Sequence, residues 1–339
     1  MRNCTINKIA KLACYASVAL AMMSHNLAAA SVPIDWSKVL QAGNQAGIRR
    51  FEAHENWYFL PADLKHLASS FQPVMPPTNG VDPVSAVVNF HTALKEKGIH
   101  LVLLPVPEKP RIRADRLVPE IMAGNPVPSQ PLEAATGRFL DQIRQKGVDV
   151  FDPSALFYQW LTEGDDPVYC RTDSHFTPRT CERLAEALVE LRLSDYAHKG
   201  APRYQLVEQS IQIHGDLADD AESEDLKVRV VQNLQSGDLF SPNSASPVLL
   251  MGDSHCLVFH SGGDMHSEGA GLFDHLTARL ESPPALIAVR GSGSNSARVT
   301  LFRQAKQSPE FLKSKKTLIW CFAAREFTQS EGWKKIPLP

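Results

Sequence analysis

The chain has 339 residues, 43% of them hydrophobic, enough to bury one large core or two small ones. Its 35 basic and 37 acidic residues leave a formal net charge of −2, a balance that argues against a nucleic-acid partner. Residues 1–30 carry the pattern of a cleaved secretory signal peptide. Arg2, Lys8 and Lys11 precede an apolar run from Leu12 to Met23, and Asn26-Leu27-Ala28-Ala29-Ala30 offers a small-residue cleavage site. The apolar part is short for a membrane span, so an uncleaved anchor is the minority reading. Removing those three cations leaves 32 basic against 37 acidic residues, and the expected mature chain, 31–339, stands near −5.

Export bears on the cysteines. Cys170, Cys181, Cys256 and Cys321 remain, and an oxidising compartment permits up to two disulfides among three connectivities. A Cys170–Cys181 bridge would stiffen the stretch between them; buried free thiols are the alternative. The spacing does not suggest zinc.

From Val32 to Leu67 the pattern is helical but irregular, with Asn56-Trp57-Tyr58-Phe59-Leu60 as an aromatic knot. Residues 72–83 are Pro-rich and read as a loop. Asp82 and Pro83 then cap a helix that runs to Lys97 and ends at Gly98. The apolar run Ile99–Leu104 follows as a strand, ending in the rigid loop Pro105-Val106-Pro107-Glu108-Lys109-Pro110. The same phrase recurs: a helix over 132–145, Lys146-Gly147, then a strand at Val148–Phe151. That alternation is the rhythm of a parallel sheet covered by helices, an α/β fold. Asp152-Pro153 opens a further helix through Trp160. Val168-Tyr169-Cys170 reads as a short strand, and Thr177-Pro178 as the start of a helix with Leu184, Ala187, Leu188 and Leu191 on one face.

From Lys199 to Asn243 the chain is polar, and its acidic run (Asp216, Asp219, Asp220, Glu222, Glu224, Asp225) reads as a solvated loop without calcium-loop spacing. The apolar strand Pro247–Met251 then stops at Gly252-Asp253-Ser254. A Gly-rich loop (Gly262, Gly263), a helix over 272–280 and the strand Ala285–Val289 follow. Gly291-Ser292-Gly293-Ser294-Asn295-Ser296 lacks the Gly-Lys-Ser/Thr of a nucleotide-binding P-loop. The last strand, Thr317–Phe322, leads to Arg325-Glu326-Phe327. No linker composition divides residues 31–339, so one domain is expected.

Two stretches carry chemistry. A serine in the turn after a strand is where a nucleophile is raised above a sheet edge, although Cys256 stands where the second glycine of Gly-x-Ser-x-Gly would be. Upstream, Asp173-Ser174-His175 supplies a base and a group to hold it in one tautomer. At the carboxyl ends of parallel strands the three can meet. His175 also precedes a helix N-terminus, whose positive dipole end disfavours imidazolium and keeps the ring ready as a base. Asp-Ser-His occurs again at 253–255, so two carboxylates and two imidazoles at a metal form the rival arrangement. It ranks below the serine reading on the ground that strand alternation points the Asp and His of each pair the same way while hiding the serine, a constraint that relaxes in a turn and leaves the rival open.

Together, Thr172-Asp173-Ser174-His175-Phe176-Thr177-Pro178 and Val248-Leu249-Leu250-Met251-Gly252-Asp253-Ser254 resemble the SGNH-hydrolase-like alginate O-acetyltransferases of Gram-negative periplasms. In that family the motif order is permuted, with Asp-x-His ahead of the serine, as here. Asn56–Leu60, Leu103–Lys109, Ile319-Trp320 and Arg325 extend the likeness over most of residues 31–339. The resemblance implies an SGNH-hydrolase-like parallel sheet flanked by helices, with Asp173, His175 and Ser254 as a catalytic triad. It implies that Ser254 takes an acetyl group as an ester and passes it to a polysaccharide hydroxyl. It also implies a periplasmic location, no cofactor, and a membrane-bound acyltransferase partner that brings acetyl equivalents across the inner membrane. Departures are Phe176 in place of a usual tryptophan, and His255 and Cys256 where an aromatic and a small residue are more common. No carbohydrate-binding domain is expected after the catalytic one, so polymer binding falls to the catalytic domain's own groove. The Ser254 N–H is one expected oxyanion donor, with Asn295 or Arg290, just after a strand end, as its partner. An acetyl esterase using the same triad and a non-catalytic glycan-binding scaffold are the competing functions.

Overall fold

The computed structural model describes residues 34–42, 49–69, 80–118, 135–164, 166–330 and 332–339; the signal-peptide pattern at 1–30 and the first turn expected for the 132–145 helix lie outside them. Two short strands, β1 (Phe51–Glu52) and β2 (Tyr58–Phe59), pair antiparallel around the aromatic knot. The main sheet contains β3 (His100–Val106) and β4 (Asp149–Val150). A separate antiparallel ribbon follows, β5 (Tyr204–Ile213) with β6 (Glu224–Asn233). The main sheet is completed by β7 (Val248–Gly252), β8 (Ala285–Ala288) and β9 (Thr317–Ala323). Its strand order is β4-β3-β9-β7-β8, and every neighbouring pair is parallel.

All seven residues of β9 are buried, which is why the strand reads as one apolar run. Leu318, Trp320 and Phe322 face one helical layer, while Ile319 and Cys321 face the other. Each fully buried large apolar side chain stabilises the fold by about 1.5–3 kcal/mol relative to exposure, so this strand anchors both layers. The cap signals behave as their chemistry requires. Asp82 accepts from Ser85 N at 3.0 Å to start the helix Pro83–Glu96, and Thr177 accepts from Thr180 N at 3.1 Å to start Pro178–Arg192. Among the described residues no helix is long and apolar enough to cross a membrane.

Three expectations change. The polar stretch 199–243 is not loop throughout: β5 and β6 pair residue for residue from Tyr204↔Asn233 to Ile213↔Glu224. Most of the ribbon is half-exposed, so charged residues interrupt the alternation that would mark strands, and only a few side chains such as Val228 and Val230 reach the core. The stretch Val168–Cys170 does not join the sheet. It folds against its own continuation, with Cys170 N donating to His175 O at 3.1 Å and Thr177 N to Val168 O at 2.9 Å. The expected loop after β3 becomes a helical turn at Lys109–Ile112.

Candidate active site

Gly252 ends β7 against the backbone of β9. A Cβ there would lie 1.7 Å from the Cys321 carbonyl oxygen, so no other residue fits. The chain then turns, and the Asp253 carboxylate pins the turn by accepting from His255 N at 2.9 Å, His255 Nδ1 at 2.9 Å and Ala323 N at 2.7 Å. Burial would raise its pKa, but the His255 ring and these donors hold it well below the usual carboxylate range. Ser254 opens the short 3-10 turn that follows, and its Oγ lies 2.7 Å from His175 Nε2.

The second half of the site is the self-paired loop 168–177. Asp173 Oδ1 accepts from both His175 N, at 2.9 Å, and His175 Nδ1, at 2.6 Å. With Nδ1 donating to a carboxylate, Nε2 presents its lone pair to the Ser254 hydroxyl. Asp173 and His175 are 1% and 3% exposed, so their mutual attraction is weakly screened. Burial alone would lower the His175 pKa; the Asp173 carboxylate outweighs it, and the net shift is upward. The helix-dipole argument therefore loses to the nearby carboxylate: the ring gains proton affinity rather than shedding it. Asp173 itself is held well below its ordinary range: burial would raise it, but the two imidazoles beside it, His175 and His266, prevail.

Residues from distant segments hold this loop still. Lys109, at the carboxyl end of β3, donates from Nζ to Asp173 O at 2.8 Å and Arg171 O at 3.1 Å. Its ammonium stacks over Trp57 and Phe59 from the aromatic knot, and burial lowers its pKa to about 8. Glu224 accepts from Arg171 N and Thr172 N at 3.0 and 2.9 Å. Asp216 accepts from Ser174 N at 2.7 Å and Ser174 Oγ at 2.6 Å, while its own N–H donates to Asp173 Oδ2 at 2.9 Å. Gly215 makes that approach possible, since a Cβ there would meet Thr172 O at 2.1 Å. The acidic run is thus only partly solvated: two of its members brace the Asp173 loop. His266, from the loop after Ser254, donates from Nε2 to Asp173 Oδ2 at 2.9 Å.

The expected residues separate into two groups. Asp173, His175 and Ser254 form one hydrogen-bonded chain. Asn295 and Arg290 have other partners. Asn295 donates to Gly332 O at 2.5 Å and accepts from Arg298 and Lys334 N, tying down the C-terminal segment. Arg290 pairs with the exposed Asp264. A strand-end position locates the backbone of such residues but not the direction of the side chain. Arg325 just after β9 pairs with Asp63 at 3.0 Å and sits close enough to Asp253 for the two acids to raise its pKa against burial.

The second Asp-Ser-His repeats the local geometry of the first without joining it at a common ligand point. His255 binds its own Asp253, and its ring packs edge-on to His175 at 4.8 Å and against Phe176 at 5.1 Å. It fills the place of an aromatic side chain, and burial lowers its pKa. Among the described residues, the ligand atoms of Asp173, His175 and Asp216 form the one group close enough for a metal ion, within 4.8 Å of one another. Each already holds a hydrogen bond from or to the chain. Among the described residues the four cysteines, Cys170, Cys181, Cys256 and Cys321, are buried free thiols; Cys170 Sγ contacts Phe176 O at 3.7 Å, and Cys321 hydrogen-bonds Cys256.

The model of a family described as an SGNH hydrolase-like domain, acetyltransferase AlgX, matches residues 53–324. Among solved structures, the O-acetyltransferase domain of Pseudomonas putida AlgJ superposes with a TM-score of 0.55 at 21% identity, over 82% of this chain and 91% of that one. Pseudomonas aeruginosa AlgX gives 0.52 at 21% identity, over 89% of this chain and 71% of that one. At these identities the likeness is one of fold. No curated protein matches the chain by sequence.

Proposed function

The chain belongs to the SGNH-hydrolase-like acetyltransferase family of AlgX, and from that premise we propose that it is a periplasmic O-acetyltransferase that moves an acetyl group through Ser254 onto hydroxyls of an exported polysaccharide. The observation that carries this reading is the chain of hydrogen bonds from Asp173 through His175 to Ser254, at 2.6 and 2.7 Å. Export rests on the signal-peptide pattern of residues 1–30, and acetyl equivalents come from a membrane-bound acyltransferase partner.

In the mechanism, His175 Nε2 takes the Ser254 proton as Oγ attacks the acetyl carbonyl. The new imidazolium is stabilised by Asp173. The Ser254 N–H, which has no acceptor among the described residues, is free to donate to the oxyanion, an interaction that typically contributes about 3–4 kcal/mol to the transition state. His175 then gives its proton to the departing group of the donor, leaving acetyl-Ser254. A sugar hydroxyl enters, His175 takes its proton, the sugar oxygen attacks the ester carbonyl, and Ser254 leaves with the proton returned to Oγ. Water in place of the sugar would make the same machinery an esterase.

The test is incubation of the purified protein with 4-nitrophenyl acetate and oligosaccharide acceptors, beside Ser254→Ala. Acetylated sugar that is absent with Ser254→Ala supports the transferase. Ester cleavage indifferent to every acceptor points to an acetyl esterase, and glycan binding without turnover points to a scaffold.

A further inference from the structure

The loop after the Ser254 turn is built at conformational expense. Five residues between Phe259 and Gly269 have positive φ: Phe259, Gly262, Gly263, His266 and Gly269. The glycines tolerate this; His266 does not. Its φ of 74° and ψ of −83° fall in the γ-turn region that side-chain-bearing residues rarely adopt. Strain of this kind persists where surrounding structure enforces it, and it gathers at functional sites. Here the loop is held at two points: Asp264 is paired with Arg290 from the loop after β8, and His266 Nε2 lies 2.9 Å from Asp173 Oδ2. The His266 side chain is 5% exposed, and its ring packs on Phe259 at 5.4 Å.

We propose that His266 is a positioning residue of the Asp173–His175 pair, a second imidazole that fixes the carboxylate and limits how strongly it draws a proton onto His175. The proposal rests on the triad reading of Ser254. Asp173 Oδ1 serves His175, and Oδ2 is shared between Asp216 N–H and His266. A donor on Oδ2 withdraws charge from the carboxylate, so the imidazolium of His175 is less favoured and more of the ring stays neutral as a base. Removing that donor does the opposite whether His266 is neutral or charged. The groups facing His175 are Asp173, Asp216, Asp253 and the His255 ring; those facing His266 are Asp173 and Asp264, the latter paired with Arg290. Lys109 faces Asp173 from the helical turn after β3. All of these stay in place when only position 266 is changed.

Two variants separate positioning from packing. His266→Phe keeps a ring on Phe259 but has no donor; His266→Gln keeps a donor at about the reach of Nε2. With 4-nitrophenyl acetate, the acidic limb of kcat/KM is expected to move up by about half a pH unit or more in His266→Phe, with kcat/KM on that limb falling about threefold or more. His266→Gln should return the limb toward the wild-type position. Equal losses in both variants with an unmoved limb would mean that His266 only packs the loop, and would overturn the proposal. NMR of imidazole nitrogens gives a reading independent of turnover. In the wild-type protein His266 must carry a proton on Nε2, and an Nδ1-protonated neutral ring would overturn the proposal even if His266→Phe fails to fold. In His266→Phe the His175 titration midpoint must rise; if it does not, the proposal fails. Absence of any Ser254-dependent reaction in the wild type would instead count against the transferase reading, leaving the NMR result to decide on His266.

Discussion

Replacing Asp173 with asparagine is the most informative single change in the site, because the carboxylate is fully engaged. Oδ1 accepts from His175 N and Nδ1, and Oδ2 accepts from Asp216 N and His266 Nε2, at 2.9, 2.6, 2.9 and 2.9 Å. An asparagine offers one oxygen and one NH2. Whichever way it turns, the NH2 meets one of two backbone N–H groups, from His175 or from Asp216. A buried donor left without an acceptor costs about 1–3 kcal/mol, and loss of the negative charge weakens the remaining bonds as well. The effect on rate is larger. When the NH2 faces His175 Nδ1, the ring moves its proton to Nε2, where it can no longer accept from Ser254. In serine proteases the equivalent substitution lowers kcat by about ten-thousand-fold. Urea unfolding should therefore show a folded protein weakened by about 1–3 kcal/mol, and 4-nitrophenyl acetate turnover should fall by at least about a hundredfold. Asp173→Asn with kcat within about tenfold of wild type would refute the orienting role of this carboxylate.

The pH behaviour follows from the same pair. The proposed reaction requires neutral His175, whose pKa lies above its ordinary 6.5, so kcat/KM should rise with pH through a midpoint above that value; a midpoint below it would contradict the Asp173 contact. Stability has the opposite slope. A raised imidazole pKa contributes stability that is fully present below 6.5 and is lost as pH rises through the folded value. The depressed Asp173 pKa contributes stability present above the unfolded value of 3.8 and lost as pH falls through the folded one. Thermal unfolding across pH should place the His175-linked fall in stability over the same window in which activity rises, and His175→Gln should abolish that fall. Gly252→Ala should lose more than about 3 kcal/mol or fail to fold, since its Cβ would be driven into the Cys321 carbonyl; a Gly252→Ala protein with unchanged unfolding would show that β7 and β9 are farther apart.

The parts of this fold legible in the sequence are those where one force dominates. Apart from exposed His100 at the start of β3 and Thr317 at the start of β9, the strands β3, β7, β8 and β9 are apolar because helices cover the sheet, and the Asp82-Pro83 and Thr177-Pro178 caps announce their helices. The β5–β6 ribbon is illegible because most of it faces water and tolerates charge. At the site, Asp173 and His175 are recoverable because they lie two residues apart, and Ser254 because its turn follows an apolar strand, although His175 and Ser254 meet across 79 residues. Lys109 is marked only as part of a resembling stretch, and its contact with the Asp173 carbonyl is a matter of tertiary packing. Asp216 reads as one more acid in a charged run, and only the closeness of Gly215 to Thr172 brings it to Ser174. His266 lies in a glycine-containing loop whose left-handed turns have no signature beyond Gly262, Gly263 and Gly269. Arg290 lies two residues after β8, whereas Asn295 stands directly before the helix Ser296–Gln307, and nearer partners take their side chains: Asp264 for the first, Gly332 and Lys334 for the second.

The account stands on Ser254 as a nucleophile activated by His175. The direct measurement is to mix the protein with excess 4-nitrophenyl acetate, quench early, and map the acetyl group by peptide mass spectrometry, with His175→Ala and Ser254→Ala alongside. The account predicts one acetyl ester on the peptide containing Ser254, absent from both variants and discharged by a sugar acceptor. Acetylation at another residue, or at Ser254 with equal rate in His175→Ala, would contradict it.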